Sequence, residues 1–318
     1  MKITHIGNPS RSSIGVTQGL MALDCDLKLS SAYVSFGRVI RDREPNIEAA
    51  MLDSDLIFVG DLGGNQYIQF FDAHDLWDKV IHYDYRDTCT PVLTMLDKAK
   101  ISFKRSITCG PTRQPIRMIN RVVSIHHCAL DEYYQPHVER DVDIGCFFNR
   151  NDPQHLGERR RTLVETLAEY DTPNSMIGHS TGQKQEARLA YAQGEIGNCF
   201  HEFVSLQHRC KIIFTAQPTH CEGDNRTWEA MASGALVFMD RTYHPLHKPL
   251  VDGEHCFLFD AEKPDTIRAS LSLAKELLKD DARREAIAKA GFDYVRKYHR
   301  PVNRVRRMLW HAGIRQSA

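Results

Sequence analysis

Asp224-Asn225-Arg226-Thr227-Trp228-Glu229-Ala230-Met231-Ala232-Ser233-Gly234-Ala235-Leu236-Val237-Phe238-Met239-Asp240 is the stretch that decides the fold. It reads as a short capped helix, a glycine stop and a buried strand. Asp224 or Asn225 can cap the helix, because either side chain accepts from the orphan amides of a first turn. Gly234 falls where a left-handed residue ends a helix. Ala235 to Met239 is a continuous apolar run of the kind that sits inside a parallel sheet. Arg226 and Glu229 are three residues apart and share one helix face. A cation beside free first-turn amides suits a phosphate. A carboxylate one turn deeper suits a pair of sugar hydroxyls, so the segment has the makings of a nucleotide-sugar clamp.

Working outward, Arg226-x-x-Glu229-Ala230-x-Ala232-x-Gly234-Ala235, then a strand, then Leu250-Val251-Asp252-Gly253-Glu254-His255-Cys256-Phe257-Leu258-Phe259 resembles the C-terminal half of GT-B glycosyltransferases. The likeness is to the group-1 transferases and the CgeB-like spore-maturation proteins, and it runs from about Asp141 to Arg307. It implies a GT-B type α/β fold, with two Rossmann-like doubly wound domains facing across a cleft. Many such proteins place two glutamates eight positions apart. Here Cys221 stands eight before Glu229, and Glu222 is one step out of register.

Composition agrees with a globular chain. The 318 residues are 42% hydrophobic and 26% charged, and the 41 basic and 41 acidic residues cancel. No global field draws the protein to nucleic acid or membrane. No apolar run is long enough to span a bilayer. The start, Met1 to Gly7, reads as a first strand rather than a leader peptide. Nine cysteines without a framework spacing suggest reduced thiols and a cytoplasmic location.

Both halves alternate short apolar runs with helix-compatible stretches, as a doubly wound parallel sheet requires. Ser54–Asp61, Lys79–Tyr83 and Arg121–His126 read as strands of the first half. Asp141–Phe148, Ser175–Gly178 and Cys210–Thr215 are strands of the second. The pattern breaks at Tyr134-Gln135-Pro136-His137. This divides the chain into an N-terminal acceptor-side domain, 1–137, and a nucleotide-sugar-binding domain, 138–302. A terminal helix over 303–318 is free to pack back on the first domain.

The resemblance assigns the roles. Glu229 would accept from ribose hydroxyls and Arg226 would meet the diphosphate, with Asn225 and Gly223 beside them. Arg150, after the second domain's first strand, is the positional match for a cation that neutralises the leaving group. Arg159, Arg160 and Arg161 read as a solvated helix face, from which one could reach inward. His179 and Ser180 can offer donors to base or ribose. Gly15, in Ser12-Ser13-Ile14-Gly15 after the first strand, would let backbone amides approach a phosphate or sugar. His82 and Asp84, at a first-domain strand end, are placed for a base if the reaction inverts configuration. Cys199-x-His201 with His208-x-Cys210 and His126-His127-Cys128 lack the spacing of a zinc site.

The expectation is a hexosyl-type glycosyltransferase working from a UDP- or GDP-sugar without a metal, with no cofactor beyond the donor. Fold analogy favours retention. The acceptor is a glycan, a small molecule, a protein or a modified nucleic-acid base. A sugar-nucleotide epimerase or hydrolase, and a non-catalytic binding protein of the same fold, are the alternatives.

Overall fold

In a computed structural model the chain forms two compact α/β units. The structure describes all residues except 8–10, 36–37, 61–63, 87–92, 106–107, 110–113, 116–121, 135–138, 149–152, 171–173, 179–194, 197–200, 218–222, 243–246 and 316–318.

The first unit comprises Met1–Ile125, Gln183–Phe200 and Arg300–Ala318. Its strands are β1 (Lys2–Ile6), β2 (Asp26–Leu29), β3 (Ala32–Ser35), β4 (Arg38–Arg41), β5 (Leu56–Gly60), β6 (Val80–Asp84), β7 (Ile101–Lys104), β8 (Thr108–Cys109), β9 (Gln114–Pro115) and β10 (Val122–Ser124). Six of them form one parallel sheet in the order β10-β7-β6-β5-β1-β2. Ile6, Ile57, Val59 and Val80 bury one core against Met51, Phe71 and Met95. β3 and β4 make an antiparallel hairpin that no alternation in the sequence announced.

The second unit comprises His126–Gly182 and His201–His299. It adds β11 (Val142–Cys146) and β12 (Ser175–Ile177). The two-residue β13 (Glu195–Ile196) belongs to the first unit, where it pairs with β3. β14 (Cys210–Thr215), β15 (Leu236–Asp240) and β16 (Phe257–Phe259) complete a parallel sheet in the order β12-β11-β14-β15-β16. Leu236 and Phe238 join Ile144, Ile212 and Phe214 in a core closed by the helices Pro153–Ala168 and Pro264–Leu277. Val237 and Met239 alternate to the other side, where helices Asn225–Ala232 and Asp281–Tyr298 pack on β15.

The division therefore differs from the one at 137/138 and 302/303. The first break falls at 125/126, and residues 183–200 return to the first unit because Glu195–Ile196 adds a strand to β3. The terminal helix Pro301–His311 lies against helix Arg11–Met21 within the first unit. Their approach is close enough that a Cβ on Gly19 would lie 2.5 Å from Val305 Cγ2 and 2.6 Å from the Pro301 carbonyl. Among the described residues, no helix is long and apolar enough to cross a membrane.

Two buried histidines give the fold a pH dependence. Burial pushes His5 down to about 3. His5 is held neutral between Thr17 Oγ1 at 3.0 Å and the Tyr83 hydroxyl at 2.6 Å. Burial, and then the charge of Arg140, push His208 down to about 4. The unfolded chain protonates both near pH 6.5. The stability they permit is therefore complete above that pH and is lost as pH falls toward 4 and 3. At pH 5 the loss is roughly 2 kcal/mol for each ring. Urea unfolding at pH 7.5 and pH 5 checks this. Equal midpoints would mean that the rings protonate inside the fold, and His5→Gln should flatten the slope.

Candidate functional site

In the second unit, β12 lies on one side of β11 and β14 on the other, so the winding reverses between β11 and β14. Open α/β sheets bind ligands at the carboxyl ends of the strands flanking such a reversal. Phe147 and Phe148 leave β11 there, and Ala216 and Gln217 leave β14. Phe148 is buried and carries two cations on its ring. The Arg160 guanidinium lies 4.9 Å from the ring centre and that of Arg226 lies 5.0 Å from it. Such contacts are worth about 1 kcal/mol each and hold the planar groups in place.

Asp224 organises the same corner. Its Oδ1 accepts from the Thr227 amide and hydroxyl, both at 3.0 Å, which makes it the N-cap of helix Asn225–Ala232. Its Oδ2 lies 3.2 Å from Arg160 Nη2 and 4.0 Å from Arg226 Nη1. Arg160 Nε also donates to the Ala216 carbonyl at 3.2 Å. Two guanidiniums against one carboxylate leave a positive balance beside a helix N-terminus, where the backbone dipoles also favour an anion. An anionic group such as a phosphate suits this corner.

Arg226 keeps 30% of its side chain exposed, whereas Glu229 is buried in the next turn. Asn225 is the first helical residue and leaves capping to Asp224. Gly223 precedes the cap at φ +96°, a conformation that glycine adopts without strain. Gly234 ends the helix at φ +77°, and a Cβ there would lie 2.8 Å from Arg140 Nη2. That guanidinium donates to the carbonyls of His208 and Ser233, at the ends of helices His201–Arg209 and Asn225–Ala232. Arg150, His179 and Ser180 lie outside the described residues, as do Cys221 and Glu222.

Arg159 and Arg160 do not form a solvated face. Both turn inward, and only Arg161 is exposed. Arg159 donates Nε and Nη2 to the two Asp240 oxygens, each at 2.6 Å. It reaches Asp260 at 3.2 Å and Glu262 at 2.5 Å. The sequence carries only part of the signal. Arg159 and Arg160 stand four residues before Leu163 and Val164, on the apolar stripe of their helix.

The first unit places its candidates differently from the sequence reading. His82 is the middle residue of β6, fully buried, with Nδ1 3.3 Å from the Ser102 hydroxyl. A side chain held within the sheet is not poised at a strand end. Asp84 does end β6 but is clasped there by Arg86 Nη2 at 2.7 Å and Lys104 Nζ at 3.2 Å. Burial raises its pKa, but the Arg86 hydrogen bonds and the Lys104 charge outweigh that and hold it below the usual carboxylate range. A general base at neutral pH wants a higher value. Gly15 lies inside helix Arg11–Met21, where Ser13 and Thr17 bond to Tyr83 and His5, so no open loop exists at that point.

Among the described residues, no three His, Cys, Asp or Glu side chains converge as metal ligands. The Asp-x-Asp pairs are engaged at strand starts. Asp53 and Asp55 bond to Lys2, Asp141 to Arg209 and Asp143 to Lys211.

Residues 159–310, just under half of the chain, match the family model described as glycosyl transferase-like. No curated protein matches the sequence. Solved structures match over nearly the whole chain. An α-glucosyltransferase solved with UDP-glucose and DNA containing an abasic site superposes with a TM-score of 0.66 at 10% identity, covering 98% of each chain. HepE of Anabaena, solved with UDP, superposes at 0.58 with 10% identity, covering 98% of this chain and 100% of that one. Sucrose-phosphate synthase of Thermosynechococcus elongatus superposes at 0.57 with 14% identity, covering 98% and 99%. At such identities the likeness is one of fold, and that fold is GT-B.

Proposed function

We propose that the chain transfers a hexosyl group from a nucleotide-sugar donor to an acceptor hydroxyl. One observation carries the reading: two guanidiniums, Arg160 and Arg226, gather on Phe148 beside a capped helix N-terminus at the winding reversal of the second unit. The glycosyl transferase-like match over 159–310 covers these residues and supports the same reading.

In this mechanism the donor diphosphate takes the Arg226–Arg160 corner and Glu229 accepts from the ribose. Charge grows on the leaving diphosphate as the sugar bond breaks, and fixed guanidiniums stabilise that growth without reorganising. The chain's own cations supply the neutralising charge, so the reaction is metal-independent. His82 lies within its strand and Asp84 is held by cations, so no first-unit base is assigned. The departing phosphate then assists the incoming hydroxyl on the same face, which gives retention. The buried thiols Cys210 and Cys256 carry no disulfide, as suits a reducing cytoplasm.

Titration with UDP, GDP, ADP, CMP and dTDP and their sugar conjugates tests the donor site, starting with uridine nucleotides because the structural neighbours were solved with UDP or UDP-glucose. One base should bind, and Glu229→Ala should weaken it more than tenfold, about 1.4 kcal/mol. Turnover should survive EDTA and should require an acceptor. Donor consumed alone would indicate an epimerase or hydrolase, and binding without turnover a non-catalytic protein.

A further inference from the structure

Between β15 and β16, the backbone of residues 247–251 is held by side chains of the same unit. The His247 amide donates to His126 Nε2 at 3.3 Å. The Lys248 carbonyl accepts from His299 Nε2 at 3.1 Å, and the Pro249 carbonyl accepts from the Tyr294 hydroxyl at 3.0 Å. The Val251 amide donates to His255 Nδ1 at 3.1 Å. The segment is strained at Lys248, whose φ of +58° is a left-handed value that residues other than glycine rarely adopt. His255 is buried. Its ring centre lies 4.1 Å from that of Tyr294, and its Nε2 lies 3.4 Å from Glu254 Oε1. Glu254 and Tyr294 are the titratable groups that this ring meets among the described residues. The His255 backbone is seated on helix Asp281–Tyr298 at Gly291, where a Cβ would collide with the His255 carbonyl oxygen. His299 carries the contact onward. Its ring stacks on Trp228 with centres 4.2 Å apart, and Trp228 stands between Arg226 and Glu229 on helix Asn225–Ala232.

We propose that residues 247–251 form a pH-sensitive strap behind helix Asn225–Ala232, latched by His255 and released when that ring becomes an imidazolium. A ring nitrogen that accepts from an amide must lack a proton. The neutral ring satisfies both of its sides, with bare Nδ1 toward the Val251 amide and the Nε2 proton toward Glu254. An imidazolium carries a proton on each nitrogen. Nδ1–H would then face the Val251 N–H, donor against donor, while the Glu254 carboxylate favours the charged ring from its other side. Imidazoles ordinarily change state near pH 6.5. The latch is closed above that range and opens below it, and Lys248 is then free to leave its left-handed conformation. The role of helix Asn225–Ala232 as a donor clamp rests on the proposed function, whereas the latch does not.

Amide hydrogen exchange, read by NMR in the full chain without nucleotide, tests the latch whether or not the clamp binds a donor. After correction for the intrinsic pH dependence of exchange, protection at Val251 should fall at least about tenfold between pH 7.5 and pH 5. His255→Gln supplies an acceptor that gains no proton, and should keep Val251 protected at both values. His255→Phe keeps a ring against Tyr294 but offers no acceptor, and should leave Val251 weakly protected at both. The Phe214 and Phe238 amides, inside β14 and β15, report the whole fold, whose own buried histidines respond to pH. Their protection should change alike in the wild type and the two variants, which separates release of the strap from loosening of the fold. No fall at Val251 in the wild type, or a fall as large in both variants, overturns the proposal.

Discussion

Arg159→Ala is expected to destabilise the protein by about 3–5 kcal/mol, the usual cost of removing one partner from a buried ion pair. Asp240 is fully buried, and Arg159 bonds to both of its oxygens. Without the guanidinium, Asp240 keeps the Gln217 amide at 3.3 Å and the Ala261 amide at 3.0 Å, which leaves a full charge poorly compensated. The cost is also architectural. Through Asp240, Asp260 and Gln217 the cluster ties the ends of β14, β15 and β16 to the helix whose next residue, Arg160, reaches Phe148. Urea unfolding at low and high salt makes the check. The loss should persist in high salt, because screening acts weakly on buried pairs. A loss under about 1 kcal/mol would place the pair with exposed ones.

That cluster marks the limit of what the residues disclosed on their own. A continuous apolar run made β15 legible, since a strand covered on both faces has no polar side to hide, and largely apolar runs marked β11 and β14. The cap at Asp224 and the stop at Gly234 were legible because each rests on local backbone chemistry. The inward turn of Arg159 was not. A cation on an apolar stripe can snorkel outward or bury against a carboxylate, and the deciding partner lies 81 residues away. His82 misled for a similar reason, because its depth in the sheet depends on Ser102 of the neighbouring strand. The addition of Glu195–Ile196 to β3 depends on a pairing far apart in sequence, and the β3–β4 hairpin, although local, lacks the alternation that would mark it.

Arg226→Ala is expected to lower kcat by about a hundredfold, near 2.7 kcal/mol, the scale seen when one fixed donor to a developing oxyanion is removed. Folding should change by less than about 1 kcal/mol. The side chain is 30% exposed, its approach to Asp224 is only 4.0 Å, and Arg160 still covers Phe148. Turnover would be followed as nucleotide diphosphate released from the donor that the titration selects. Glu229→Ala serves as the contrast, because a ribose contact is made equally in the ground state and the transition state and should appear in KM. Arg226→Lys should recover only part of kcat, since an ammonium keeps the charge but neither lies flat on Phe148 nor forks toward two oxygens. If Arg226→Ala raised KM and left kcat intact, Arg226 would be a binding residue alone, and the neutralising charge would fall to Arg160. If neither constant moved, the diphosphate would not lie at this corner at all.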